Sequence, residues 1–122
     1  MMRGYTDFDV SIEEIHHVEK KDSPSGTSIV LANDIIEYFA EKKTWTNEKS
    51  LYKSPELSIK SERLGNNVGT HIVTYCSPFD VIEIKHKALT RMNFALGALM
   101  CAEWLIDYNK KGFFHISDML QI

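Results

Sequence analysis

No apolar run in this chain approaches the roughly 18–20 residues that a membrane span requires. The opening Met1-Met-Arg-Gly-Tyr-Thr-Asp has no apolar h-region, so it does not read as a secretory signal. Only two cysteines occur, Cys76 and Cys101, and neither belongs to a C-x-x-C pair. A disulfide scaffold is therefore excluded, and both thiols read as buried small hydrophobes in a reducing cytoplasm. The net charge of −3 and pI near 5.9 leave no basic excess for nucleic acid or an anionic membrane. Internal repeats and low-complexity tracts are missing as well. So is any G-x-G-x-x-G run, the turn that cradles a dinucleotide phosphate.

What is present is a soluble globular composition, 43% hydrophobic and 25% charged, in 122 residues, enough for one domain with a real core. From Asp7 to His17 the residues alternate, with Phe8, Val10 and Ile12 on one face and Asp9, Ser11 and Glu13 on the other. This is the period of a half-buried strand. Continuing the pleat puts Glu14 and His16 on the apolar face and Ile15 and His17 opposite, so the two histidines diverge. Lys20–Ser25 reads as a loop, with Pro24 turning Ser23 away from the helical region. A helix is expected from about Thr27 to Lys43, with Ile29, Ala32, Ile36, Phe39 and Ala40 in one stripe and Lys42 and Lys43 against the dipole. Thr44–Pro55 reads as a polar connection. Three more strands are expected at Leu57–Arg63, Gly69–Ser77 and Val81–Lys87, in a small sheet joined largely by hairpins. His71 and His86 read as strand residues whose polar tips reach water or a backbone carbonyl. A last helix from about Arg91 to Asn109 is apolar over well over half its circumference, with Trp104 as core, and Gly112 marks its end. Phe113–Leu120 adds a short apolar tail. The surplus apolar surface reads as a docking face for something outside this chain.

Chemistry concentrates in Glu14-Ile-His-His-Val-Glu-Lys-Lys-Asp-Ser-Pro-Ser-Gly-Thr27. His16 is the best general acid or base, because imidazole titrates near neutral pH. Lys20, four residues on, can return to the same pocket and supply an ammonium. Gly26 and Thr27 offer backbone N–H groups at the helix start, where Ser25 or Thr27 would cap. The first acidic residue of that helix is Asp34, which leaves its amino terminus electropositive and suited to an outside anion.

The run His16-His17-x-x-Lys20-x-Asp22-x-Pro24-Ser25-Gly26-Thr27 resembles the signature of the dihydrodipicolinate reductases, also called 4-hydroxy-tetrahydrodipicolinate reductases. His86-Lys-Ala-Leu-Thr-Arg-Met-Asn-Phe-Ala95, the segment from Arg63 to His71 and the helix carrying Trp104-Leu105 extend the resemblance over nearly the whole chain. It implies reduction of a cyclic unsaturated dicarboxylate by NADH or NADPH, in lysine and diaminopimelate biosynthesis. It makes His16 and Lys20 catalytic, and His17, Gly26 and Thr27 substrate-binding. Arg91 reads either as a solvent-facing helix-start residue or as one reaching toward cofactor phosphate. The fold implied is α+β, a mixed four-stranded sheet with helices packed against it, assembling as a homotetramer through the sheet. The family's amino-terminal nucleotide-binding domain has no counterpart in these residues. The fragment is thus expected to bind no cofactor itself, and residues 91–122 are expected to pack on that domain. The 44–62 region also lacks a glycine- and arginine-rich stretch found in many members.

Two readings from other classes stand beside this one: a free-standing binding module for a small dicarboxylate, and an oligomerisation scaffold. A metal site drawn from His16, His17, Asp22, His71 or His86 has no ligand spacing to recommend it.

Overall fold

The computed structural model describes residues 2–108 and 111–121. The chain divides into two compact units, Met1–Leu89 and Thr90–Ile122.

The first unit is built from strand β1 (Asp9–His16), helix α1 (Gly26–Tyr38), and strands β2 (Thr44–Thr46), β3 (Glu56–Arg63), β4 (Gly69–Cys76) and β5 (Val81–Ala88). The strands form one mixed sheet in the order β2-β3-β1-β4-β5. The sheet therefore has five strands, one more than expected. The addition, Thr44-Trp-Thr46, is too short to show a period, and it pairs in parallel with the first residues of β3. The hairpin topology also needs correction. Only β4 and β5 form a sequential antiparallel pair; β1 inserts between β3 and β4, parallel to the first and antiparallel to the second.

The alternation of β1 holds: Val10, Ile12, Glu14 and His16 are all buried. Ile12, Leu57 and Ile59 are fully covered at the centre of the core, joined by Val73, Ala32 and Phe39. Each such aliphatic side chain contributes about 1.5–3 kcal/mol by leaving water. Helix α1 lies over β1, β2 and β3 and sends Ser28, Leu31, Ala32 and Ile35 toward them. Ile84, on the far edge strand, stays 54% exposed.

Helix α1 stops at Tyr38 rather than near Lys43. Phe39 leaves helical geometry at φ −118°, ψ 93° and enters the core. Lys42, expected to meet the helix dipole, is instead 1% exposed. Its Nζ contacts Asp9 Oδ1 at 2.6 Å and donates to the carbonyls of Ser54 at 2.7 Å and Glu56 at 3.1 Å. Ala40, Glu41 and Lys42 are good helix formers, so tertiary anchoring overrides propensity here.

The second unit holds α2 (Met92–Tyr108) and α3 (Ile116–Leu120). The predicted helix end at Asn109 lies outside the described residues. Trp104 is not core: it is half-buried, stacked on Tyr108 at 4.4 Å with Phe114 edge-on at 5.8 Å. No described residue of α2 is buried, and Phe94, Leu99, Met100 and Ile106 are all exposed. Part of the expected apolar tail is helical, α3. Cys76 and Cys101 are free and half-buried rather than buried.

Candidate functional site

Strand register assembles the site. Glu14 of β1 stands opposite Ser61 of β3 and His71 of β4, while His16 stands opposite Arg63. All five positions belong to the inward face, just beyond the point where aliphatic residues give way to polar ones.

Glu14 is fully buried and fully engaged. Its two oxygens accept the Ser25 N–H at 3.1 Å each, Oε2 accepts the Ser28 hydroxyl at 3.1 Å, and Oε1 receives Arg63 Nη1 and Nη2 at 3.3 Å. Burial alone would raise this carboxyl. The hydroxyls of Ser25, Ser61 and Ser28 and the Ser25 amide outweigh it, holding Glu14 below its ordinary value and ionised at neutral pH.

Two imidazoles flank the carboxylate. His16 Nδ1 lies 3.3 Å from Glu14 Oε2 but out of line for a hydrogen bond. His71 Nε2 is 3.2 Å from Ser25 Oγ and 3.9 Å from Glu14 Oε2, and the two rings meet edge to face at 5.1 Å. The expectation that the His71 tip reaches water or a carbonyl is therefore corrected: it meets the helix cap. Burial lowers the pKa of both histidines, against the pull of Glu14, so both favour the neutral ring. Gly69 makes room for this packing, since a Cβ there would sit 3.3 Å from His16 Nε2.

Arg63 closes the cluster from β3. Its Nε donates to the Lys20 carbonyl at 3.2 Å, Nη1 to the Glu62 carbonyl at 2.8 Å, and Nη2 to the Asp22 carbonyl. This pins the loop after β1 beside the carboxylate. Lys20 Nζ bridges both Asp22 oxygens at 2.8 Å, and its charge is felt at both imidazoles. The Asp22 side chain is 61% exposed, so the pair is solvent-screened and weak.

Ser25 is the N-cap of α1, its Oγ accepting the Ser28 N–H at 3.2 Å, and the Ser23–Pro24 bond before it is cis. No acidic residue occupies the first turn. Gly26 and Thr27 are exposed there, and their amides have no acceptor among the described residues. Thus His16, Lys20, Gly26 and Thr27 border one region, tied together through Glu14, Ser25 and Arg63. His17 follows β1 in the turn closed by Lys20 N–H to its carbonyl, half-buried. Arg91 lies just before α2 in the second unit, exposed, its carbonyl accepting the Phe94 and Ala95 amides.

Reading the sequence missed Glu14, His71 and Arg63 as site residues. The available signal was a carboxylate on the apolar face of a strand, which cannot stay charged there without partners. Glu14, His16 and His71 also bring ligand atoms within 4.8 Å of one another. Both Glu14 oxygens already accept from hydrogen-bond donors, and Arg63 adds a positive charge beside them.

A family profile described as "Dihydrodipicolinate reductase, C-terminus" matches residues 1–120. The chain belongs to this family. A 4-hydroxy-tetrahydrodipicolinate reductase of Christiangramia forsetii is 48% identical over 120 residues, covering 98% of this chain and 48% of the relative. The reductase of the same name from Thermosipho africanus is 38% identical over 115 residues, covering 94% and 44%. Among solved structures, dipicolinate-bound dihydrodipicolinate reductase from Paenisporosarcina sp. TG-14 superposes with a TM-score of 0.62 at 26% identity, covering 81% of this chain and 40% of that one. The chain spans about half the length of the curated relatives it matches. Among the described residues there is no glycine-rich strand–turn–helix. Among the described residues, no helix is long and apolar enough to cross a membrane.

Proposed function

We propose that this domain is the substrate-binding and catalytic half of a cytoplasmic reductase. That enzyme converts 4-hydroxy-tetrahydrodipicolinate to tetrahydrodipicolinate in lysine and diaminopimelate biosynthesis. The observation that carries this reading is the Glu14 tether: one buried carboxylate contacts the His16 ring and binds the Ser25 amide at the mouth of α1. An imidazole, an ammonium and two open amides thereby face a common region. A cyclic dicarboxylate suits that set. One carboxylate takes the amides of Gly26 and Thr27 and the Thr27 hydroxyl, at ~1.5–3 kcal/mol per charge-assisted bond. Lys20 and His17 meet the remaining negative charge.

NADH or NADPH supplies the hydride, held by a nucleotide-binding domain outside these residues. Arg91 reaches toward its phosphate, and residues 91–122 pack on that domain. The 4-hydroxyl leaves as water to give the conjugated unsaturated ring, and hydride addition to that ring leaves negative charge to be taken up as a proton. His16 and Lys20 control that proton. The neutral His16 ring can accept and return it near physiological pH, and the Lys20 ammonium stabilises the developing charge.

The second part of the proposal is a homotetramer formed through the outward face of the sheet. Ser11, Glu13, Ser58, Lys60 and Thr74 line a concavity of about 730 Å³ on that face, which includes none of His16, His17, Lys20, Gly26 and Thr27. Light scattering on the chain reads its copy number directly.

The activity is tested by joining this chain to the nucleotide-binding half of the Christiangramia forsetii relative and following NADPH oxidation with the hydroxylated dicarboxylate. Turnover is expected, and His16→Gln or Lys20→Ala should reduce it by two orders of magnitude or more with assembly unchanged. An active fusion in which both variants kept full turnover would overturn the assignment of roles.

A further inference from the structure

We propose that Glu14 is a positioning residue for this site, acting through His16 Nδ1 to present the opposite ring nitrogen, Nε2, to the ligand. The inference rests on the reading of His16 as the acid–base group, and it names the residue that sets the orientation of that group.

Three observations converge on it. Glu14 is the fully buried carboxylate of a cluster whose other members are imidazoles, an ammonium and a guanidinium. A purely apolar core would not carry it; a carboxylate at that depth requires several donors, and it has them. The second observation concerns His16 itself. Its Nδ1 is buried with no hydrogen-bond partner, and the nearest anion is Glu14 Oε2 at 3.3 Å. An orphaned ring nitrogen beside a carboxylate is satisfied by carrying the proton. That leaves Nε2, which makes no hydrogen bond among the described residues, with its lone pair free. Misaligned contacts of this kind in ligand-free sites commonly tighten when substrate enters.

The third is the shared anchor. Glu14 also accepts the Ser25 N–H and the Ser28 hydroxyl, so the carboxylate that faces the ring holds the first turn of α1. Ring and amide cradle are indexed to one side chain. With the His71 proton placed on Nε2 the pattern is self-consistent: Ser28 donates to Glu14, Ser25 donates to Ser28, and His71 Nε2–H donates to Ser25. The groups facing His16 are Glu14 on its own strand, His17 and Lys20 after it, Arg63 on β3 and His71 on β4. Lys20, Arg63 and His17 oppose protonation of the ring, and Glu14 is the anion that favours it.

The test is Glu14→Gln, which keeps an oxygen for Ser25 and Ser28 and removes the charge. Nitrogen-15 shifts of the His16 ring in the wild-type chain, free of ligand, should report a proton on Nδ1. In the variant the proton affinity of His16 should fall at least tenfold, and both neutral tautomers should appear. In the joined enzyme kcat should fall at least tenfold while affinity for pyridine-2,6-dicarboxylate changes less than threefold. If wild-type His16 carries its proton on Nε2, the proposal is overturned. An unchanged His16 midpoint in a folded Glu14→Gln chain overturns it too. Should the variant not fold, the wild-type tautomer alone decides. These ring measurements use no substrate, so they stand apart from any failure of the chain to recognise a dicarboxylate.

Discussion

Replacing Arg63 by Met preserves most of the aliphatic stem and removes the guanidinium that joins β3, the loop at Lys20–Asp22 and Glu14. The loss can be sized from its partners. Both terminal nitrogens reach Glu14 Oε1 at 3.3 Å, and Nε holds the Lys20 carbonyl at 3.2 Å. Breaking a buried pair by removing one member costs about 3–5 kcal/mol. Glu14 retains the Ser25 amide and Ser28 hydroxyl, and the Arg63 side chain is 21% exposed, so the low end applies. A destabilisation of about 3 kcal/mol follows. With a urea m-value of about 1–1.5 kcal/mol/M, the unfolding midpoint read on β1 amides should fall by about 2–3 M. Arg63→Lys should recover less than half, since a point charge cannot span Glu14 and the loop carbonyls together. A midpoint within about 0.5 M of wild type for Arg63→Met would refute the claim that the guanidinium ties β3 and the loop after β1 to the buried Glu14.

Lys42→Met should cost about 3 kcal/mol in thermal or urea unfolding, because Asp9 and two carbonyls lose a fully enclosed cation; a loss under about 0.5 kcal/mol would contradict that burial. Acid should act in two stages. His16 and His71 are lowered from 6.5, so the unfolded chain takes up protons first and stability declines as pH drops below 6.5 and on through their folded values. Glu14, lowered from 4.5, adds a second decline that starts near 4.5 and ends as pH passes its folded value. Unfolding midpoints measured across this range should show both stages, and His16→Gln should shrink the first; a flat profile above 4.5 would count against the buried neutral rings.

Much of this architecture was legible in the residues. Alternation along β1 placed His16 on the inward face and His17 elsewhere, because a two-residue period leaves no other choice once Val10 and Ile12 are buried. The Pro-Ser-Gly-Thr turn announced the helix start, and the missing acid in its first turn agrees with the open amides of Gly26 and Thr27. What escaped was long-range. Nothing local says that β1 lies between β3 and β4, and that insertion brings Ser61 and His71 to either side of Glu14. Lys42 looked like a helix-end cation because its partners, Asp9, Ser54 and Glu56, are remote in sequence. Three-residue β2 carries too little pattern to be seen without its partner strand.

The direct test of the account is a titration of pyridine-2,6-dicarboxylate into the chain, followed by backbone amide and histidine ring resonances. Saturable shifts should appear at Gly26, Thr27, Lys20 and the His16 ring, and Lys20→Ala should weaken the affinity at least tenfold. Amides at Gly26 and Thr27 that stay unmoved at millimolar ligand, or shifts confined to other surfaces, would contradict the claim that this helix mouth is where the dicarboxylate is held.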